Sequence, residues 1–309
     1  MNNEPINQTK LYCLDEYFLE LVNLHTKNKL PNKILLSGEK GIGKSTLAYH
    51  FINYVLSNNE EYSYDIKNFN INHQNKSYIL TNNNTNQNLI IIDVLKEKKN
   101  IDISQIRELI TKLNKSTFNN KPRFILINNI DLLNLYSVNA LLKILEEPTK
   151  NTYFILINNN KKVLSTLSSR CLNFKIFLSF NKKKIVIEKL LNANLENIIN
   201  SEFISYYSTP GQIYNLINFS QLNNIDLTQL TLKDFLLKMI QENYYKKDDS
   251  IKFFLLDLFE NYLLKKSYSF SSIISNRYTY YIKKFSDAKK YNLDEESIFI
   301  EFKSEMLNG

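Results

Sequence analysis

The hydrophobic pattern of the chain changes character near residue 178. Before that point, short apolar runs alternate with stretches in which apolar residues recur every three to four positions. The runs predict five strands, at Lys33–Ser37, Leu89–Asp93, Arg123–Asn128, Tyr153–Asn158 and Leu172–Phe177. Four runs are almost continuously apolar, as in strands of a buried parallel sheet, and the fifth is mixed. We therefore expect an α/β domain whose last strand lies close to solvent.

The stretches between these strands predict helices. They lie at Ser45–Ser57, at Ser104–Leu113, at Ser137–Glu147, where Pro148 ends the helix, and in a short segment before Arg170. Residues 74–88 are instead rich in asparagine and predict an irregular loop.

From Phe180 onward the pattern is helical. Thr209 with Pro210 predicts one helix start, and Thr231 with Asp234 predicts another. A later apolar stripe, typical of a core or a subunit contact, comprises Ile251, Phe254, Leu255, Leu258, Phe259 and Tyr262. A last helix follows Asn292 and carries Asp294, Glu295 and Glu296 in its first turn, where the helix dipole favours acids. These patterns predict three domains, over residues 1–178, 179–219 and 220–309.

Composition supports a soluble protein of more than one domain. The chain has 309 residues, of which 43% are apolar and 23% charged. No apolar run reaches the roughly 18 residues of a membrane span, and the first residues lack the order of a secretory signal. We therefore expect a cytoplasmic protein. Cys13 and Cys171 are far apart, and the three histidines lack metal-ligand spacing, so we expect neither a disulfide framework nor a zinc site.

The charge balance alone does not decide whether the chain binds nucleic acid. Lysine and arginine total 39 against 31 acids, a formal net charge of +8. This excess is compatible with contact to DNA, but the basic tracts are short enough to be solvated helix faces.

A glycine-rich motif follows the first predicted strand. The chain has five glycines, where average usage would give roughly twenty, and three of them lie in the stretch GEKGIGKST. The stretch matches the phosphate-binding pattern G-x-x-x-x-G-K-[ST] and leads from a strand into a helix. The predicted nucleotide-binding residues are Gly38, Gly41, Gly43, Lys44, Ser45 and Thr46. Backbone N–H groups and Lys44 would face the phosphates of ATP or ADP, and the Ser45 hydroxyl would ligate magnesium.

The residues required for hydrolysis are less complete. Asp93 ends the second strand, but the first strand after the glycine loop often lies away from the phosphates. The strand Arg123–Asn128 is the better candidate, and Asn128 and Asn129 stand there in place of an acidic pair. An amide has no negative charge and accepts no proton at neutral pH. We expect Asp131 to lie too far beyond the strand and to cap the following segment.

Two further segments complete a family resemblance. The stretch SVNALLKILEEP and the later Ser169-Arg170-Cys171, together with the glycine loop, resemble the clamp-loader branch of the AAA+ ATPases. Within that branch the likeness is greatest to the bacterial DNA polymerase III delta-prime subunits. It covers residues 30–178 well and 179–219 moderately, and the last ninety residues match in length and helicity.

The resemblance implies roles for particular residues. Arg170 would act as a finger in the ATP site of a neighbouring subunit, although a structural ion pair is the alternative. Gln212 stands where motor subunits carry an arginine directed at their own nucleotide. Asn158 stands at a polar sensor position, in a register uncertain by one residue. Many relatives carry a four-cysteine zinc module that this sequence lacks.

The resemblance also implies partners. The expected assembly is a hetero-oligomeric ring with motor ATPase subunits and a clamp-opening subunit, which loads a sliding clamp on primed DNA. Within it, this chain would be a largely hydrolysis-deficient stator. Two alternatives stay open, an active motor ATPase of the same family and a free-standing nucleotide-dependent DNA-binding protein.

Overall fold

The computed structural model describes residues 4–95, 98, 100–114, 119–146, 151–159, 165–246, 249–267, 272–291 and 295–307. Contacts between residues divide the chain into two compact units. The first comprises residues 1–186 with 209–211, and the second comprises residues 187–208 with 212–309. The three-domain division with boundaries after residues 178 and 219 stays a prediction.

The first unit is built on a parallel sheet. Its strands are β1 (Lys33–Ser37), β2 (Leu89–Ile92), β3 (Arg123–Ile127), β4 (Thr152–Asn158) and β5 (Leu172–Lys175). Their spatial order is β2-β3-β4-β1-β5, and every pairing is parallel. The predicted sheet is confirmed, with strand ends within two residues of those predicted. Strand β5 lies at an edge and exposes Leu172, Asn173 and Lys175, as its mixed sequence indicated.

Helices cover both faces of this sheet. The helices of the first unit are α1 (Asp15–Thr26), α2 (Lys44–Leu56), α3 (Lys76–Asn82), α4 (Ile103–Leu113), α5 (Leu135–Glu146), α6 (Ser165–Ser168) and the first part of α7 (Phe180–Leu191). Leu109 of α4 and Leu141 of α5 join Ile125 in a fully buried cluster on one face. On the other face, the ring centroid of Phe51 in α2 lies 6.1 Å from that of Phe124. The buried apolar faces explain why these periodic stretches are helical here.

The prediction of an irregular loop over residues 74–88 is wrong for its first half, because α3 begins there. Asn75 is the N-cap of α3, and its side-chain oxygen accepts the Tyr78 N–H at 2.8 Å. The Asn53 side chain donates to the same oxygen at 3.1 Å, and both asparagines are buried. Asparagine is a strong N-cap residue, so its abundance need not indicate disorder.

The second unit is helical. It holds the rest of α7 and most of α8 (Pro210–Leu222), followed by α9 (Leu232–Gln241), α10 (Asp249–Ser267), α11 (Ser272–Tyr291) and α12 (Glu295–Phe302). The predicted starts at Pro210 and after Thr231 are confirmed, and the Thr231 hydroxyl accepts the Asp234 N–H at 3.1 Å.

Aromatic side chains form the centre of the second unit. The Phe259 ring lies 5.3 Å from Phe285, 5.2 Å from Phe299 and 4.6 Å from Phe302, measured between centroids. All four rings are fully buried, so the predicted stripe on α10 is a core face. Glu147, Pro148, Asn292 and Asp294 lie outside the described residues, as does the side chain of Ile251.

Candidate functional site

The loop after β1 has the geometry of a phosphate cradle. Gly41 and Gly43 have φ angles of +89° and +95°, in the left-handed region that glycine adopts without strain. Helix α2 begins at Lys44, so its unpaired N–H groups, including those of Ser45 and Thr46, and the positive end of its dipole lie at the loop. Such a helix start favours anions.

Lys44 is held inside this loop. Its side chain is buried, and Nζ donates to the carbonyl oxygens of Gly38 at 2.9 Å and Glu39 at 2.6 Å. Burial lowers the pKa of the Lys44 ammonium to about 8, while the charges of Asp131 and Glu39 oppose that shift. The group therefore stays mostly protonated at neutral pH, as a phosphate-binding lysine must.

A cavity of about 460 Å³ opens beside the loop. Its lining combines the loop and α2 with the N-terminal segment and the carboxyl ends of three strands. The lining residues are Glu4, Pro5, Ile6, Lys40, Gly41, Gly43, Lys44, Ser45, Thr46, Tyr49, Ile91, Asp93, Asn128, Asn129, Ile157 and Asn159. In parallel α/β sheets, ligands bind at the carboxyl ends of the strands, and the volume of this cavity is in the range of small-molecule sites. The cradle, the lysine and the cavity together fit the phosphates of a nucleotide.

Asn128 follows β3 and faces the first turn of α2. Its side-chain oxygen accepts a hydrogen bond from the Ser45 hydroxyl at 3.1 Å, and the Tyr49 hydroxyl also bonds to this side chain. The amide thus stands beside the serine that would ligate magnesium. It offers a neutral oxygen there instead of a carboxylate.

Asn129 lies in a chain of polar side chains across the strand ends. Its Nδ2 donates to Asp93 Oδ1 at 2.6 Å, and its Oδ1 accepts from Asn159 Nδ2 at 2.7 Å. The same Asn159 nitrogen lies 3.3 Å from Asp131 Oδ1. These four residues, Asp93, Asn129, Asn159 and Asp131, are called the polar chain below.

One expectation about acids is corrected by this arrangement. Strand β2 is at the sheet edge, yet Asp93 at its end lines the cavity. That Asp131 caps the following segment stays a prediction, and the Asn134 side-chain oxygen accepts the Ser137 N–H at 2.8 Å in the first turn of α5.

The register at the end of β4 is now defined. Asn158 is the last residue of β4 and pairs with Ser37, whereas the Asn159 side chain lines the cavity. The residue that lines the cavity is therefore Asn159, one position after the residue named from sequence. Tyr49 and Asn159 were not singled out as cavity residues from sequence. Tyr49 lies one helical turn beyond Ser45, which is a signal that could have identified it.

Arg170 lies between α6 and β5, at the surface of the first unit. Its guanidinium donates to Glu146 Oε1 and to the Thr166 carbonyl, each at 2.7 Å. The Arg170 and Glu146 side chains are 35% and 53% exposed. An exposed pair of this kind contributes little to stability, at most about 1 kcal/mol.

Gln212 belongs to the second unit, where its Nε2 donates to Asp257 Oδ2 at 2.7 Å. Within the described parts of the chain, no group of three or more His, Cys, Asp or Glu side chains could hold a metal ion. None of the described helices combines the length and apolar character needed to cross a membrane.

Comparisons with known proteins agree with this geometry. The family model described as "DNA polymerase III, delta subunit" matches residues 14–178. A DNA polymerase III subunit delta' of Buchnera aphidicola subsp. Baizongia pistaciae is 28% identical over 76% of this chain and 72% of that protein. A delta' subunit of Buchnera aphidicola subsp. Schizaphis graminum is 30% identical over 54% of this chain and 49% of that protein. The gamma/tau subunit of Mycoplasma genitalium is 28% identical over 73% of this chain and 38% of that protein.

The family model covers more than half of the chain, including the whole parallel sheet and the phosphate loop. The match with the second of these relatives spans about half of that protein. The predicted parallel sheet that carries the phosphate loop and is flanked and followed by helices is confirmed. The chain therefore belongs to the DNA polymerase III delta-subunit family, and its resemblance to delta-prime-type clamp-loader subunits is confirmed.

Proposed function

We propose that this chain is the delta-prime-type stator of a DNA polymerase III clamp loader, which binds nucleotide but hydrolyses it poorly or not at all. The observation that carries the proposal is the contrast between a complete phosphate loop and the amides Asn128 and Asn129 beside it. Losing a general base alone costs about two to four orders of magnitude in rate. Hydrolysis in the assembly would then take place on neighbouring motor subunits.

The nucleotide would be held by the chain's own loop. The N–H groups of the loop and of α2, with Lys44, would bind the phosphates of ATP or ADP, and Ser45 would be available to magnesium. Magnesium, when bound, neutralises phosphate charge. Asn128 and Asn129 add no negative charge to hold it, whereas Asp93 at the end of β2 carries a carboxylate on the same cavity wall.

Arg170 would act on a neighbour. Its guanidinium is partly exposed and paired with an exposed Glu146, so little free energy opposes its transfer to another anion. An arginine supplied in trans to a phosphoryl-transfer site is worth about three to five orders of magnitude in turnover.

The remaining parts of the proposal follow from the family. The chain would assemble in the cytoplasm with motor subunits and a clamp-opening subunit, and through the complex it would act on the sliding clamp and primed DNA. Residues 1–178 would carry the nucleotide site, residues 179–219 would be a lid, and residues 220–309 would hold the ring together. Gln212 would leave the lid without the arginine of a motor.

The experiment measures steady-state ATP turnover by the motor and clamp-opening subunits, with sliding clamp and primed DNA. Wild-type chain is expected to stimulate turnover at least about a hundredfold more than Arg170→Ala, since the finger is worth more than that. Both chains should assemble equally, as measured by size-exclusion chromatography.

Glu146→Gln is the matched control, because it removes the ion pair and keeps the arginine. A finger acting in trans retains its effect in Glu146→Gln. If Glu146→Gln loses stimulation as completely as Arg170→Ala, the pair is structural and the finger is rejected.

A second candidate is an active motor ATPase, which the likeness to gamma/tau over 73% of this chain favours. It requires magnesium-dependent ATP turnover by the chain alone, abolished in Lys44→Ala. Turnover of that kind would replace the stator proposal.

A further inference from the structure

We propose that the nucleotide site is selective for a nucleoside diphosphate over a triphosphate, and that Asp93 is the residue that sets this selectivity. The inference rests on the proposed nucleotide site and specifies which ligand it holds. Asp93 is a carboxylate at the cavity wall, on the strand-end side.

Several hydrogen-bond donors near the strand ends are engaged within the protein. Asn129 Nδ2 donates to Asp93, and Asn159 Nδ2 donates to Asn129 and lies within reach of Asp131. The Ser45 hydroxyl donates to Asn128. A third phosphate group entering this region would compete with these bonds for the same donors.

Asp93 dictates the direction of the polar chain. An ionised carboxylate only accepts hydrogen bonds, so Asn129 must turn its NH₂ group toward Asp93 and its oxygen away. Asn159 must then offer its own NH₂ group to that oxygen. Asp93 Oδ1 also accepts the Val94 N–H at 2.7 Å, which fixes the carboxylate in place. The polar chain therefore holds a carboxylate in a fixed position at the cavity wall, where its negative charge opposes that of a third phosphate.

The opposite side of the cavity supplies what a diphosphate needs. The loop contributes backbone N–H groups, the positive end of the α2 dipole and the ammonium of Lys44. ATP carries about one more negative charge than ADP, and that charge would approach the carboxylate side. Like charges several ångströms apart at a protein surface repel strongly enough to change affinity by about tenfold or more.

The test measures the dissociation constants of ADP and of the non-hydrolysable β,γ-imido analogue of ATP by titration calorimetry, with and without magnesium. Wild-type chain should bind ADP at least about tenfold more tightly than the analogue. Asp93→Asn removes the charge but keeps an acceptor for Asn129, and it should narrow the ratio to about threefold or less. Asp93→Ser serves as a second variant if circular dichroism shows that Asp93→Asn is not folded.

Asp65→Asn is the matched control. Asp65 also accepts a bond from an asparagine, since Asn68 Nδ2 donates to it at 2.7 Å, but it is not among the residues that line the cavity. This control should leave the ratio unchanged. Equal affinity of wild type for both nucleotides overturns the inference, as does a ratio that Asp93→Asn and Asp93→Ser leave intact. Absence of any nucleotide binding would overturn the nucleotide site itself, which is a distinguishable result.

Discussion

The two sides of the cavity differ in the atoms that they present. The phosphate loop offers backbone N–H groups and the Lys44 ammonium, whereas the strand ends offer the amides Asn128 and Asn129 and the carboxylate of Asp93. Binding a phosphate needs the first set, and activating a water molecule needs a correctly placed carboxylate in the second. In the proposed site, affinity for nucleotide and the ability to hydrolyse it therefore depend on separate parts of one pocket.

The contacts of the polar chain show why replacing Asn129 by an acid would not be enough to build a hydrolytic site. Asp93 and Asn129 are joined at 2.6 Å, so a carboxylate at position 129 would meet another carboxylate. Two carboxylates that close cannot both ionise readily. Restoring a motor-like site would therefore require changes at both positions.

The largest expected effect is on the rate of ATP hydrolysis. It comes from removing the negative charge at the end of β2 and introducing acids at the end of β3. A chain carrying Asp93→Asn, Asn128→Asp and Asn129→Asp supplies the missing acids and relieves their repulsion by Asp93. Its single-turnover rate with magnesium and ATP should rise by about two to four orders of magnitude over wild type. Adding Lys44→Ala to this variant should abolish the gain. An unchanged rate, with nucleotide still bound, would mean that the amides are not what limits hydrolysis.

A smaller effect, on nucleotide affinity, is expected from substitutions in the phosphate loop. Lys44→Ala removes a buried ammonium, and a hydrogen bond from a charged group contributes about 1.5–3 kcal/mol, or roughly ten- to a hundredfold in nucleotide affinity. Fluorescent ADP titrations measure this change. Lys40→Ala, which removes an exposed lysine of the same loop, should cost less than threefold. Equal losses in the two variants would show that net charge, rather than the position of Lys44, governs binding.

The third expected effect is on the stability of the protein through α2, the helix that begins at the phosphate loop. His50 in α2 is fully buried between the Tyr64 hydroxyl, at 2.8 Å, and the Gln8 carbonyl, at 3.0 Å. Burial lowers the pKa of the His50 imidazole from 6.5 to about 4. Because the folded-state pKa is depressed, stability is complete above pH 6.5 and declines as the pH falls toward 4.

The expected loss at pH 5 is about 2 kcal/mol in the free energy of unfolding, since a pKa unit corresponds to about 1.4 kcal/mol. Urea unfolding at pH 7 and pH 5 measures it. His50→Gln cannot titrate, so it should be less stable at pH 7 but lose about 2 kcal/mol less between the two pH values. A parallel decline in both chains would assign the acid sensitivity to other groups.

The parts of the fold that sequence predicted well are those that depend on neighbours in sequence. The strand Lys33–Ser37 was predicted to the residue, and the helix starts at Pro210 and after Thr231 follow from local capping. Residues 74–88 were predicted poorly, because α3 depends on buried bonds between Asn75 and Asn53, which are 22 positions apart.

The phosphate loop could be identified from sequence because all its groups lie in one continuous stretch, and the same holds for the amides that follow β3. Asp93, Asn129 and Asn159 are separated by 36 and 30 positions, and their contacts depend on the order of the strands in the sheet. Whether Asp93 faces the cavity, and which of Asn158 and Asn159 does so, therefore depended on packing. Composition and periodicity are properties of neighbouring residues in sequence and can be recognised without the fold. The groups that a carboxylate contacts, and therefore the effect of its charge, depend on which residues the tertiary structure brings close to it.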